Sequence, residues 1–287
     1  MDDRPCMQFT CRGRVVDLSR RTLLMGIVNV TPDSFSDGGK YFEVERAVAH
    51  ALALCAQGAD LIDVGGESTR PGAEPVPAEE ELRRVLPVIE HLARAVEVPI
   101  SVDTYKACVA ERALAAGAAI VNDISALRAD PDMADVVQRY GAGVVLMHMQ
   151  GEPRTMQLDP TYHDVVEDII AFLKERVAAC VHKGIPKSCL LVDPGLGFGK
   201  TVTHNFEIIR RLAEFRCLQQ PILVGPSRKS FVGAVTGLPP EERLEGTAAA
   251  VAACVLNGAH VVRVHDVQAM RRVVAVADAI VRKGWAQ

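Results

Sequence analysis

Short apolar runs recur along the chain, and most end in a polar residue. Four follow a glycine: Gly58-Ala59-Asp60-Leu61-Ile62-Asp63-Val64, Gly117-Ala118-Ala119-Ile120-Val121-Asn122, Gly141-Ala142-Gly143-Val144-Val145-Leu146-Met147 and Gly258-Ala259-His260-Val261-Val262-Arg263-Val264. Two open at proline, Val98-Pro99-Ile100 and Gln220-Pro221-Ile222-Leu223-Val224, and residues 22–28 and 190–193 bring the set to eight. Runs this short and this continuous read as strands covered on both faces. The glycines suit the left-handed residue that ends a helix, and the prolines suit a strand's first position.

Between the runs the apolar period lengthens to that of a helix. It predicts helices at about 43–57, 79–95, 105–116, 131–140, 160–183, 204–213, 241–257 and 267–282. In the fifth, Val165, Val166, Ile169, Ile170, Leu173, Val177 and Val181 share one face, and Gly184 ends it. Strict alternation of strand and helix predicts a parallel sheet. Eight units predict closure as an α/β fold of the (β/α)8 TIM barrel type, in a single domain; an open doubly wound sheet is the alternative. Residues 8–20 read as a short hairpin, so the division is 1–19, an N-terminal extension and hairpin, and 20–287, the barrel.

Composition fits this picture. Of 287 residues 49% are apolar and only 5% aromatic, a mix that suits helices packed on a parallel sheet. A net charge of -4 argues against a nucleic-acid or membrane surface. The longest apolar run, residues 248–256, is far short of the roughly 20 residues of a membrane span. Eight cysteines without a Cys-x-x-Cys pair, and no basic n-region followed by an apolar stretch, lead to the expectation of a reduced, cytoplasmic protein.

In such a barrel the chemistry lies in the loops after the strands. In order, these positions carry Asn29 and a Gly- and Ser-rich loop with Asp33 and Asp37; Asp63, then Gly65-Gly66-Glu67-Ser68-Thr69-Arg70-Pro71-Gly72; Asp103 and Thr104; Asn122 and Asp123; Met147, His148, Met149 and Gln150; Asp193, then Pro194-Gly195-Leu196-Gly197-Phe198-Gly199-Lys200; Ser227-Arg228-Lys229-Ser230; and Arg263, His265 and Asp266. One strand-end aspartate is often only a helix cap. A full row of polar groups points to a mouth filled by ligand or water, because polar groups buried without partners are costly. Asp103, Asn122 and Asp193 suit the donor–acceptor edge of a nitrogen heterocycle. Arg228, Lys229, Arg263 and His265 suit a phosphate, for which the loops after the last two strands are a common site.

Three other chemistries fit poorly. Gly195–Thr201 looks like a nucleotide P-loop, but the spacing Gly-x-x-x-x-Gly-Lys requires glycine where Pro194 stands. These glycines are read instead as letting a loop fold closely over a ligand. No His or Cys cluster has the spacing of a zinc site, although Asn29, Asp33 and Asp37 offer oxygens suited to magnesium. No Gly-x-Ser-x-Gly nucleophile elbow occurs.

Taken together, the strand-end segments resemble those of the bacterial dihydropteroate synthases. The longest are Met25-Gly26-Ile27-Val28-Asn29-Val30-Thr31-Pro32-Asp33-Ser34-Phe35-Ser36-Asp37-Gly38-Gly39 and Asp63-Val64-Gly65-Gly66-Glu67-Ser68-Thr69-Arg70-Pro71-Gly72. Ser101–Thr104, Val121–Ile124, Met147–Gly151, Asp193–Lys200, Ser227–Phe231 and Val262–Asp266 follow in order. The resemblance covers about residues 20 to 282. It implies condensation of 6-hydroxymethyl-7,8-dihydropterin diphosphate with p-aminobenzoate, giving 7,8-dihydropteroate and pyrophosphate in folate biosynthesis.

Carried over by residue, the resemblance places the pterin on Asp103, Asn122, Met147, Asp193, Phe198 and Lys229. It places the diphosphate on Asn29, Thr69, Arg70, Arg263 and His265, with magnesium at Asn29. It places p-aminobenzoate against Phe35, Thr69, Arg70, Pro71, Ser227, Lys229 and Ser230. Asp103, Asp193, Lys229 and Arg263 would carry the catalysis. It further implies a homodimer, for which the helices at 241–257 and 267–282 are candidate faces, and sensitivity to sulfonamides. A folate-dependent methyltransferase, a catalytically silent pterin-binding paralogue and a nucleotide-binding regulator are the alternatives.

Overall fold

In the computed structural model of the chain, residues 7–30, 40–69 and 72–281 are described. Strands β1 (Gln8–Cys11) and β2 (Arg14–Asp17) form an antiparallel hairpin. Its turn residues Arg12 and Gly13 have φ of 48° and 77°, the paired positive values of a tight hairpin turn. Eight parallel strands follow: β3 (Leu23–Asn29), β4 (Leu61–Gly65), β5 (Ile100–Asp103), β6 (Ile120–Asp123), β7 (Gly143–Met147), β8 (Leu190–Asp193), β9 (Leu223–Val224) and β10 (Val261–Val264). They are ordered β8-β7-β6-β5-β4-β3-β10-β9. A parallel bridge between Val192 and Ile222 joins β8 to the β9 side, and the Val192 N–H donates to the Pro221 carbonyl at 3.0 Å. The sheet therefore closes, and the open alternative falls.

The outer ring comprises α1 (Lys40–Ala56), α2 (Ala78–Ala95), α3 (Ala107–Ala116), α4 (Met133–Tyr140), α5 (Val165–His182), α6 (Val202–Arg210), α7 (Ser230–Thr236), α8 (Leu244–Leu256) and α9 (Val267–Val281). Most helix bounds shift by one to three residues from expectation, and three larger differences have identifiable causes. Helix α5 begins at Val165 because Asp164 caps it, accepting the N–H groups of Val166 and Glu167 at 2.9 and 3.0 Å. Helix α6 ends at Arg210, and a 3-10 stretch, Leu212–Leu218, follows. Helix α7 was not expected at all: it is one short segment holding Gly233 and three β-branched residues, too brief to show a period.

The strand runs look continuous, yet each divides its side chains by parity. Ile62, Val64, Val102, Val121, Val144, Leu146, Val192, Val262 and Val264 pack outward among the helices. Leu23, Met25, Leu61, Ile120, Val145, Leu191, Leu223 and Val261 form a separate cluster with Phe9, Cys11 and Leu18 of the hairpin region. That cluster fills the barrel's lower half, and the hairpin covers it from below. Arg12 ties the hairpin down, its Nη1 donating to the carbonyls of Leu114 and Ala118 at 2.8 and 2.9 Å. One step further along the same inward faces, β4, β5, β6, β8 and β10 carry Asp63, Asp103, Asn122, Asp193 and Arg263. An apolar floor thus supports a polar storey at the strands' carboxyl ends.

Candidate active site

Strand register assembles the centre of the polar storey. Gly65 of β4 lies opposite Asp103 of β5, and Asp103 lies opposite Asn122 of β6. A Cβ on Gly65 would sit 3.4 Å from the Asp103 Cβ. Across the barrel, the Arg263 guanidinium reaches both acids. Its Nε donates to Asp63 Oδ2 at 2.6 Å and its Nη2 to Asp103 Oδ2 at 2.8 Å. Asn122 Nδ2 donates to the same Asp63 oxygen at 3.0 Å.

Burial dominates the electrostatics here. It pushes the Asp103 carboxyl up to about 7, against the pull of Arg263 and with repulsion from Asp63. Burial also opposes the Arg263 cation, but Asp63 and Asp103 outweigh it and raise its pKa. An arginine held this way stays charged, while Asp103 is poised near neutrality.

Asp193 and Lys229 form a second group. Asp193 Oδ1 accepts the Gly195 N–H at 2.7 Å, and burial raises its pKa against the nearby Lys229 cation. Burial lowers Lys229 to about 8, with Asp193 acting in opposition. The Lys229 ammonium donates to the Leu196 carbonyl and lies 4.5 Å from the centre of the Phe198 ring, a cation–π distance. Ile124, Met147, Met149 and Met156 form an apolar wall, joined by Tyr105 and Phe198. A third pair links the last two strand ends: Ser227 Oγ lies 2.9 Å from His265 Nδ1 and accepts the His265 N–H at 3.2 Å.

The chain from Met25 to His265 matches the family of pterin-binding enzymes. Dihydropteroate synthase of Escherichia coli K12 is 48% identical over 277 residues, covering 95% of this chain and 98% of that protein. The structure of Xanthomonas albilineans dihydropteroate synthase with 4-aminobenzoic acid superposes with a TM-score of 0.91 at 47% identity, covering 98% of this chain and 100% of the other. The Yersinia pestis enzyme, solved with a sulfonamide drug, gives a TM-score of 0.90 at 45% identity, with 96% and 99% covered.

The chain belongs to the dihydropteroate synthase family. This pterin-binding barrel brings together Asp103, Asn122, Met147, Asp193, Phe198, Lys229 and Arg263 around one mouth, with Ser227 and His265 beside them. Asn29 ends β3, Thr69 is half-buried in the loop after β4, and Ser230 is exposed as the first residue of α7. Phe35, Asp33, Asp37, Arg70 and Pro71 lie outside the described residues.

Other strand-end residues serve the scaffold. Asp123 accepts Ser125 N–H, Ser125 O–H and Leu127 N–H at 2.7, 2.7 and 3.0 Å, so it shapes a turn. Arg228 is paired with Asp266 at 3.1 Å from Nε and 2.6 Å from Nη2, which takes its charge away from a phosphate. His148 packs edge-on against Phe172, with ring centres 4.9 Å apart. Two of the loop glycines answer to the neighbouring loop: a Cβ on Gly195 would fall 2.0 Å from the His148 carbonyl oxygen, and one on Gly199 would fall 2.5 Å from that of Gln150. Gly197 faces a site side chain, Lys229 Cδ at 3.0 Å from its would-be Cβ, and Gly195 also meets Met147 Cγ at 3.2 Å.

Sequence reasoning had left Asp63 outside the site set, although it binds two of that set. Its signal was present as an acid inside an apolar strand, where an unpaired charge is untenable.

Proposed function

We propose that this barrel mouth joins p-aminobenzoate to 6-hydroxymethyl-7,8-dihydropterin diphosphate, releasing pyrophosphate. One observation carries the reading. The inward faces of five strands place three acids, an amide and a guanidinium on one level above an apolar floor, with Lys229 beside Asp193. Asp103, Asn122 and Asp193 supply the acceptors for the N–H groups of a 2-aminopyrimidinone edge. Met147 and Phe198 supply the apolar wall for its ring.

The reaction needs little covalent help from the protein. The amine nitrogen attacks the methylene carbon as the carbon–oxygen bond to diphosphate breaks. The bonding pair leaves with pyrophosphate, and the new C–N bond gives up one amine proton. Positive character that develops on the pterin is stabilised by Asp193 and Asp103. Negative charge on the departing group is met by Arg263, Lys229 and His265, with Thr69 and Arg70 from the second loop. The family resemblance assigns Phe35, Thr69, Arg70, Pro71, Ser227, Lys229 and Ser230 to p-aminobenzoate.

Magnesium belongs to this proposal. Asn29 offers an amide oxygen at the end of β3, a hard ligand suited to the ion. Among the described residues no three His, Cys, Asp or Glu side chains group into a cage, so diphosphate oxygens and water would complete the shell. When bound, the ion supplies Lewis-acid charge at the leaving group.

A homodimer is proposed as well, supported by Leu244 and Leu256 of α8 and Val276 and Ile280 of α9, all exposed; light scattering tests it. Cytoplasmic residence is proposed from the free thiols Cys11, Cys55, Cys108, Cys180, Cys189, Cys217 and Cys254. No helix among the described residues is long and apolar enough to cross a membrane.

The direct test mixes protein, pterin diphosphate, magnesium and p-aminobenzoate and follows pyrophosphate. Release that depends on p-aminobenzoate is expected. Its absence would leave only a binding function.

A further inference from the structure

We infer that Asp63 is a positioning residue: it holds Arg263 and Asn122 in register, so that the leaving-group arm and the pterin floor act as one unit. The inference rests on the functional reading above. Asp63 is fully buried, at 0% exposure. Its Oδ2 receives both the Arg263 Nε–H at 2.6 Å and the Asn122 amide at 3.0 Å. Its other oxygen, Oδ1, is buried without a hydrogen-bond partner among the described residues.

That asymmetry argues against a purely structural role. For stability alone, a buried ion pair is in general no more stabilising than well-packed apolar residues. Asp63 instead commits one oxygen to two site residues on different strands.

Arg263 needs such an anchor. Its side chain is long and crosses the barrel from β10, and its second partner, Asp103, is also the acid assigned to the pterin ring. A pterin that engages Asp103 competes for that carboxylate. The bond at Nε holds the guanidinium through a separate nitrogen and a separate carboxylate throughout. Nε and one Nη2 hydrogen account for two of the five N–H groups, leaving three for an anion.

Asn122 gains something different. Because its Nδ2 is committed to Asp63, its Oδ1 and one remaining N–H are what a ligand meets. Asp63 thereby sets which way round the amide stands, and so fixes an acceptor in the pterin site.

The test is a mutant cycle on the full chain with Asp63→Asn, Arg263→Met and the double variant. Readouts are kcat, both KM values and thermal midpoint. Asp63→Asn is expected to lower kcat/KM for the pterin diphosphate about 100-fold, the scale of losing one site donor. The KM for p-aminobenzoate should change less than about twofold, because neither partner of Asp63 is assigned to that substrate. In the Arg263→Met background, Asp63→Asn should cost less than about threefold more, since residues acting as a unit are not additive. Losses that multiply independently, or an Asp63→Asn enzyme within about threefold of wild type, would overturn the role.

Arg263→Met strands a buried carboxylate and lowers the thermal midpoint, and adding Asp63→Asn should raise it again. If Arg263→Met does not fold, Arg263→Lys replaces it, since an ammonium keeps the charge without the planar fork. A wild-type protein that releases no pyrophosphate would refute the functional reading, and the midpoint cycle would still judge the coupling.

Discussion

The Lys200 ammonium nitrogen lies 3.0 Å from Nδ1 of His148, and it also donates to the Phe198 carbonyl at 2.9 Å. Both side chains are buried. Burial, then the charge of Lys200, lowers His148 to about 2. The folded protein therefore keeps this ring neutral while the unfolded chain protonates it near 6.5. The contribution of this ring to stability is complete above 6.5 and is lost as pH falls toward 2, at about 1.4 kcal/mol per unit. Denaturant titrations should show His148→Asn losing less stability than wild type on acidification from pH 6.5. Parallel curves would refute the assignment.

The pH dependence of turnover should have two limbs. Asp103 loses its proton near 7 and Lys229 near 8. The carboxylate of the first and the cation of the second serve the proposed reaction, so kcat/KM for the pterin diphosphate should rise through about 7 and fall above about 8. Lys229→Arg should abolish the upper limb, because arginine does not deprotonate there. A variant that keeps that limb would assign it elsewhere.

Asp193→Asn should fold normally, since the amide oxygen can still accept the Gly195 N–H. Activity should fall by about 100-fold or more through loss of charge at the pterin. Near-normal turnover would remove Asp193 from the chemistry.

Gly195→Ala should be among the most damaging changes outside the site chemistry. The residue has φ of 69°, and the added methyl meets the His148 carbonyl oxygen at 2.0 Å. A stability loss above about 2 kcal/mol is expected, measurable by urea unfolding.

The second loop passes from Gly72 to Ala73-Glu74-Pro75 without an insertion, and the Yersinia pestis relative was solved with a sulfonamide drug. Sulfonamides should inhibit this enzyme competitively with p-aminobenzoate. Wild-type activity unchanged at millimolar sulfonamide would contradict this.

The barrel was legible in the sequence because strand and helix periods alternate eight times with clear punctuation. The strand-end row was legible because acids and amides interrupt apolar runs at a repeated place. Their division was not. Asn122 and Asp123 are neighbours, yet parity sends one to the mouth and the other to a turn. Arg228 looks like a phosphate ligand until Asp266, 38 residues away, is seen to hold it. Asp63 looks like one more strand-end acid, and its value rests on Arg263, 200 residues later. Long-range pairing of this kind has no local period to betray it. The methyltransferase alternative is set aside by relatives nearly half identical that carry the synthase name, and pyrophosphate release decides against a silent paralogue.

The hairpin with Phe9 and Cys11 beneath the barrel has a consequence for traffic. The barrel is a blind well, sealed at its foot by the floor of apolar side chains. Among the described residues, a molecule held at Asp103 and Asn122 has the mouth as its way out, and whatever binds above it stands in that way. On the proposed reading, the pterin diphosphate is therefore expected to bind before p-aminobenzoate, and the joined product to leave whole, its shallow end leading.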